Sequence, residues 1–423
     1  MDAGDELDLD VTSVAHGGVF VGRVEGRVVF VPDAIPGERV RVRLTDVGKK
    51  SFWRGEVLGV LDASPHRRPH IWAQADVTVA PDRRPGGADF GHIELAHQRS
   101  LKLEVLQDAL RRFGGVDAGD VRISAAGADE TADGRGWRTR IGLHVDDAGN
   151  VGPFAARSHT VVPVRDHPLA TPEVEAAALA LGQGAPGRID LVQPADGRVR
   201  VIPRPDAGAR TPREAREVVV ERVGTREFRV DAGGFWQVHR SAAATLDAAV
   251  RGAIRGAVGA PDAEGRHLDL YGGVGLFAAV LGELGAAHIT SVESDARATE
   301  HAGENLAEWV GARAETARVD RFVTRLLADA STRERERLSR GVTVLDPPRS
   351  GAGRSVVQAV AALHPAAVVY VACDPVALAR DVAIFGDAGY ELRAVEAFDL
   401  FPNSHHVEAV ATLVPAGSAE PRG

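Results

Sequence analysis

The sequence predicts a multidomain protein: an N-terminal OB-like β-barrel, a central α+β domain and a C-terminal α/β domain of Rossmann-like type. Three observations predict it. Over residues 5–62, short runs alternate apolar and polar positions, as in Val40-Arg41-Val42-Arg43-Leu44, which is the period of half-buried strands. About five such runs in so short a stretch suit a small closed barrel. From about Gly233 to Leu413, strand-like and helix-like segments alternate, the pattern of a doubly wound parallel sheet. Finally, 423 residues exceed what one hydrophobic core ordinarily serves.

A 44% hydrophobic content supplies material for several cores. The formal charge of -9 argues against general polyanion binding but leaves room for a local basic face. Met1 to Asp10 is acidic and lacks a basic segment leading into an apolar one. No apolar run approaches the roughly 18 residues of a membrane span. Cys373 is the only cysteine, so no intramolecular disulfide forms. A monomer in the cytoplasm, away from membranes, is the expectation.

Residues 1–64 make up the barrel. Val19 to Val31 reads as two strands around Glu25-Gly26, and Gly55 to Leu61 as another. Arg23, Arg27, Arg41, Arg43, Lys49, Lys50 and Arg54, with Phe52 and Trp53, offer a phosphate-and-stacking surface for RNA; a solvated barrel exterior is the plainer use of the same charges. Residues 65–89, rich in Pro, Arg and Asp, read as a linker or irregular excursion. The central domain spans 90–215. Its first helix carries Leu103, Leu106, Leu110 and Phe113 on one face and ends at Gly114-Gly115; Lys102, Arg111 and Arg112, on or near it, are within reach of phosphate, with a solvated helix face as their plainer use. Trp137 to His144 and Val151 to Val164 look like strands, Thr171 to Leu181 a helix, and Ile189 to Arg204 a hairpin. The α/β domain covers 216–414, and residues 415–423 read as a disordered tail.

The chemistry concentrates in the α/β domain. Leu268 to Phe277 reads as a strand, a glycine turn through Gly273 and Gly275, and a helix start, a geometry that lets a ligand lie against backbone and helix terminus. Ile289 to Glu293 is a second strand ending in a carboxylate suited to ribose hydroxyls. Two cofactors stay open at this point. Gly273 to Ala278 fits a relaxed dinucleotide fingerprint, whereas Asp269, inside the first strand, favours the cationic S-adenosylmethionine. Val342 to Leu345 and Val368 to Ala372 read as buried parallel strands that deliver Asp346 and Cys373 just past their carboxyl ends. A lone cysteine is ordinarily a small buried hydrophobe; at a strand end beside a cofactor edge it becomes a candidate nucleophile. Glu408, in His405-His406-Val407-Glu408, is then a candidate base. The paired histidines have no third ligand nearby in sequence, so no metal is assigned.

These residues carry a resemblance. Val11-x-Ser13-x-Ala15-His16-Gly17-Gly18 and Val31-Pro32-x-Ala34-x-Pro36-Gly37-Glu38 resemble the TRAM domain, an RNA-binding barrel. Phe235-x-Gln237-Val238, Asp269-Leu270-Tyr271-x-Gly273-x-Gly275-x-Phe277, Asp346-Pro347-Pro348-Arg349, Cys373-Asp374-Pro375 and Asp399-Leu400-Phe401-Pro402, with the following His406-Val407-Glu408, resemble the RNA 5-methyluridine methyltransferases. The resemblance implies a class I methyltransferase domain, S-adenosylmethionine as cofactor, and a uridine of ribosomal or transfer RNA as substrate. It implies Cys373 as nucleophile, Glu408 as the base that removes the C5 proton, and Gln237, Tyr271, Glu293 and Asp346 as cofactor contacts. Many relatives hold an iron–sulfur cluster on four cysteines between barrel and central domain; this chain has no cysteine there, so no such cluster is expected. Leu276 and Gly272 stand where relatives often carry Asn and Cys, and the glycine reads as a harmless exchange. The rivals are a nicotinamide enzyme on the same sheet and a non-catalytic RNA-binding or assembly factor that keeps the fold.

Overall fold

The computed structural model describes residues 1–128, 130–204 and 212–418. Its first strands, β1 (Glu6–Ala15), β2 (Val19–Val24), β3 (Arg27–Val31), β4 (Arg39–Asp46) and β5 (Phe52–Asp62), close into a barrel in the order β1-β2-β3-β5-β4. Alternation along β4 sends Val40, Val42 and Leu44 inward, while Arg41 and Arg43 face out to pair with Asp8 and Glu56. That core is not self-contained: Phe90, Ile93 and Leu101 complete it from later in the chain.

The stretch 65–89 is irregular, yet it is packed rather than a free linker. Irregular backbone has no ladder to satisfy its carbonyls, and buried guanidiniums do that work here. Arg84 donates to the carbonyls of Val57, Val77 and Val79 and pairs with Asp33. Arg67 pairs with the buried Glu38 at 2.6 Å.

Helix α1 (Leu95–Ala109) continues through Gly114, and Gly115 ends it at φ 66°. Leu106 and Leu110 are buried, whereas Phe113 is exposed. Strand β6 (Ile123–Ala125) follows, then β7 (Arg140–Val145), β8 (Val151–Gly152), α2 (Pro172–Leu179), β9 (Gly187–Val192) and β10 (Arg200–Arg204). The sheet β10-β9-β7-β8 contains the expected 189–204 hairpin. The strand expected over 151–164 shrinks to two residues and an isolated Phe154–Val161 bridge, because Pro153 and Pro163 lack the N–H a ladder needs. Nor is 90–215 a closed unit. Strand β6 pairs with the edge of the α/β sheet, and α1 packs on that domain's last helix.

The remainder comprises the hairpin β11 (Val218–Val223) and β12 (Arg226–Asp231), α3 (Ala242–Val258), β13 (His267–Leu270), α4 (Leu276–Glu283), β14 (Ile289–Glu293), α5 (Ala296–Asn305), β15 (Ala312–Thr316), α6 (Val319–Asp329), α7 (Thr332–Ser339), β16 (Val342–Leu345), α8 (Arg354–Ala362), β17 (Ala367–Ala372), α9 (Pro375–Asp387), β18 (Tyr390–Asp399) and β19 (Glu408–Pro415). The sheet runs β15-β14-β13-β16-β17-β19-β18-β6, with β13 to β17 parallel and β19 antiparallel to β17. Every residue of β16 and β17 is buried, as strands covered on both faces must be. Strand order reverses between β13 and β16, and that switch point is where open α/β sheets form a ligand crevice. The last strand reaches Pro415; residues 419–423 of the expected tail lie outside the described residues.

Candidate active site

A cleft of about 1240 Å³ opens above the carboxyl ends of β13, β14, β16 and β17. Gln237, Tyr271, Gly273, Glu293, Asp346, Cys373 and Glu408 all contribute to its wall. The sequence therefore names residues that the fold brings together across 171 positions, from 237 to 408. Asp269 and Gly275 do not line it.

At one end lies the glycine turn. Tyr271, Gly273 and Gly275 adopt φ of 64°, 53° and 93°, the last two at no steric cost. A side chain added at Gly273 would enter open space, so the backbone there is accessible to a ligand. The Glu293 carboxylate is fixed at the end of β14 by the N–H groups of Gly273 (3.2 Å), Ser294 (2.6 Å) and Asp295 (2.8 Å). Asp269 is fully buried beneath the turn, accepting from Ala278 N (3.1 Å) and Ser291 Oγ (3.0 Å), with its Oδ1 unpartnered. It braces the turn from below. Burial pushes its carboxyl up to about 7 against those two hydrogen bonds. Gly272 is matched to its surroundings in this chain. A Cβ there would stand 2.1 Å from Ser291 Oγ and 2.6 Å from Asp269 Oδ2, so Ser291 and Gly272 fit as a pair.

At the other end sits the reactive pair. Antiparallel register sets Ala372 opposite Ala409, and one step further brings Cys373 level with Glu408. Glu408 is buried, and burial together with Asp346 holds its carboxyl well above the usual range, against Arg349. The Cys373 thiol is pushed up to about 12 by burial and by Glu408, with Arg349 acting the other way. Asp346 rises to about 7 through burial and its neighbour Asp269. Three acids and a thiol thus share a desolvated edge whose neighbouring cation is Arg349.

The loop between β18 and β19 is held by contacts that sequence reasoning missed. Lys102, read as a surface cation, is fully buried and pairs with Asp399 at 2.5 Å while donating to Phe401 O. Gln98, one turn earlier, is also buried and donates to Asn403 Oδ1. A buried i, i+4 polar pair beside Leu101 and Leu106 was the available signal. Asn403, at φ 66° and fully buried, accepts from Arg68 (2.5 Å) and Gln98 and donates to the carbonyls of Asp133 and Gly134. His405 pairs with Asp89 at 2.6 Å, and His406 approaches Arg349 at 3.3 Å; the two histidines are thereby engaged. From the barrel, His16 Nε2 meets Asp374 Oδ2 at 2.8 Å, next to Cys373. A smaller cavity of about 150 Å³ lies between the barrel turn and Cys373.

Comparison with known proteins decides the lineage. The TRAM domain family matches residues 3–58, and the tRNA (Uracil-5-)-methyltransferase family matches residues 260–414. An uncharacterized RNA methyltransferase of Streptomyces avermitilis is 37% identical over 98% of this chain and 99% of its own length. The chain belongs to the RNA uracil-C5 methyltransferase family. A second such RNA methyltransferase, from Bifidobacterium longum, is 34% identical over 96% of each chain. In three dimensions this methyltransferase superposes on Pyrococcus abyssi tRNA (uracil-54, C5)-methyltransferase, solved with S-adenosyl-L-homocysteine. The TM-score is 0.68 at 19% identity, covering 96% of this chain and 99% of that one. Among the described residues, no helix of the methyltransferase is long and apolar enough to cross a membrane.

Proposed function

We propose that the protein methylates C5 of a uridine in structured RNA, ribosomal or transfer, using S-adenosylmethionine and a covalent adduct on Cys373. The observation that carries this reading is the Cys373–Glu408 pair at one strand-end edge, open to the same cleft as the glycine turn and Glu293. The residues suit that methyl donor. Open backbone at Gly273 admits a nucleoside, Glu293 stands where ribose hydroxyls would be bound, and Asp346 offers an acid to a sulfonium cation. When bound, S-adenosylmethionine supplies a methyl group activated by its positive charge.

The rest falls to the chain's own side chains. Uracil C5 is too weak a nucleophile to act unaided. The Cys373 thiolate adds to C6, the C5–C6 π pair moves onto C5 as an enolate, and C5 becomes able to take a methyl group. Arg349 favours the thiolate over the thiol. Once C5 is methylated, Glu408 takes the C5 proton; the C5–C6 double bond re-forms and the Cys373–C6 bond breaks. A carboxyl held above its usual range is well matched to that step. The base must leave its stack to reach Cys373, which is half-buried on the wall of the cleft.

Denaturing gels test the division of labour. Cys373→Ala should abolish methylation and form no adduct. Glu408→Gln should leave RNA covalently bound as a slow band, because the C5 proton stays. RNA carrying 5-fluorouridine should trap the unaltered enzyme likewise, since fluorine cannot leave as a cation. Full methylation by the Cys373→Ala protein would end the covalent reading. Mapping 5-methyluridine in total RNA from a deletion strain would then identify the substrate.

A further inference from the structure

Arg138 is a cation without an anion. Its backbone is clamped from both sides: the N–H donates to Leu169 O (2.8 Å), the carbonyl accepts from Thr171 N (3.0 Å), and bridges run to Ala170 and His239. Its side chain lies over the buried Trp137 ring, with Nε donating to Arg140 O at 3.0 Å. That leaves both terminal nitrogens, four N–H donors, without a partner among the described residues, on the wall of the cleft. The cleft is rich in carboxylates, yet none pairs with Arg138. Burial works against its ionised form, and the neighbouring charge that acts on it is another guanidinium, Arg349. A fixed, partly buried guanidinium facing a second one is unfavourable until an anion bridges them.

Resting on the reading above, we propose that Arg138, together with Arg349, forms a phosphate-binding subsite that grips the RNA backbone next to the uridine to be methylated. A guanidinium fork matches two phosphate oxygens. The choice of phosphate over the carboxylate of the methyl donor follows from Arg349, which faces Cys373, Glu408 and His406 at the RNA end of the cleft. Pinned by Trp137 and Arg140, Arg138 holds its donors ready without reorganisation. The subsite would thus help draw the flipped nucleotide down to Cys373.

The test uses full-length protein and an in vitro transcript of the ribosomal or transfer RNA that the unaltered enzyme traps when made with 5-fluorouridine. In a Cys373→Ala background, where binding stays reversible, Arg138→Gln should weaken binding of the unmodified transcript about tenfold at 0.1 M salt. It should also reduce the slope of log affinity against log salt by about 0.7–0.9, the share of one phosphate. Arg138→Lys should keep the slope and lose only part of the affinity. S-adenosylhomocysteine affinity should stay within twofold. Independently of any variant's folding, a methylphosphonate placed directly 5′ or 3′ of the target uridine should cost the Arg138-containing protein a similar factor. It should cost the Arg138→Gln protein little more. Unchanged RNA affinity with neutral phosphates on both sides overturns the proposal, as does a loss confined to S-adenosylhomocysteine. Failure to trap 5-fluorouridine RNA would instead strike the reading on which the subsite rests.

Discussion

Asp346 and Asp269 both hold their protons to about pH 7 in the folded protein, Asp346 through burial and Asp269, and Asp269 through burial. An unfolded aspartate releases its proton near pH 4. Between those values the folded chain binds more protons than the unfolded one, so stability is full at the acid end and falls as pH rises through about 7. Urea titrations at pH 5, 6 and 7.5 should show that fall, and Asp346→Asn should flatten it. A pH-independent midpoint in the unaltered protein would contradict the strained edge.

Two elements depend on fits that a single side chain would break. The β13–α4 turn has no room at Gly272, because Ser291 Oγ and Asp269 Oδ2 already occupy the space a Cβ would fill. Gly272→Ala should cost about 1–3 kcal/mol through overpacking and weaken S-adenosylhomocysteine binding; pairing it with Ser291→Ala should restore part of both. Thermal melts and calorimetry on the single and double variants check this. The β18–β19 loop hangs on Lys102 and Asp399, both fully buried. Lys102→Met strands that carboxylate beside Arg99 alone, and losing one partner of a buried pair costs about 3–5 kcal/mol. The double variant Lys102→Met with Asp399→Leu should be less destabilised than Lys102→Met alone, as a denaturation cycle would reveal.

Across the whole molecule, the barrel packs against the back of the site rather than hanging free of it. Phe90, Ile93 and Leu101 fill its core, Arg67 and Arg84 reach into its carboxylates, and His16 meets the residue after Cys373. Gly18 packs so closely that a Cβ would come within 2.8 Å of His405. Removing residues 1–62 should therefore expose apolar surface and unpair the buried Arg84 and the half-buried Arg67. The fragment should melt well below the full chain and bind S-adenosylhomocysteine more weakly. A stable fragment with undiminished affinity would show the barrel to be detachable.

What the sequence determined by itself is whatever its physics makes local. Runs of β-branched residues ending in Pro, as at Val342 to Pro347, mark a buried strand and its end. Glycines at Gly273 and Gly275 permit a turn that few other residues allow. A lone Cys373 between such a strand and Asp374-Pro375 stands out for the same reason, and so does Glu408 at a strand start. Tertiary structure alone decided that Asp269 braces the turn from beneath, that β6 extends the sheet, that Lys102 is buried, and that Asn403 ties four distant segments together. It alone set His16 against Asp374 and left Arg138 without an anion. Each of these rests on contacts between residues tens to hundreds of positions apart, and no period or spacing along a chain encodes which distant carboxylate a cation will meet, or fail to meet.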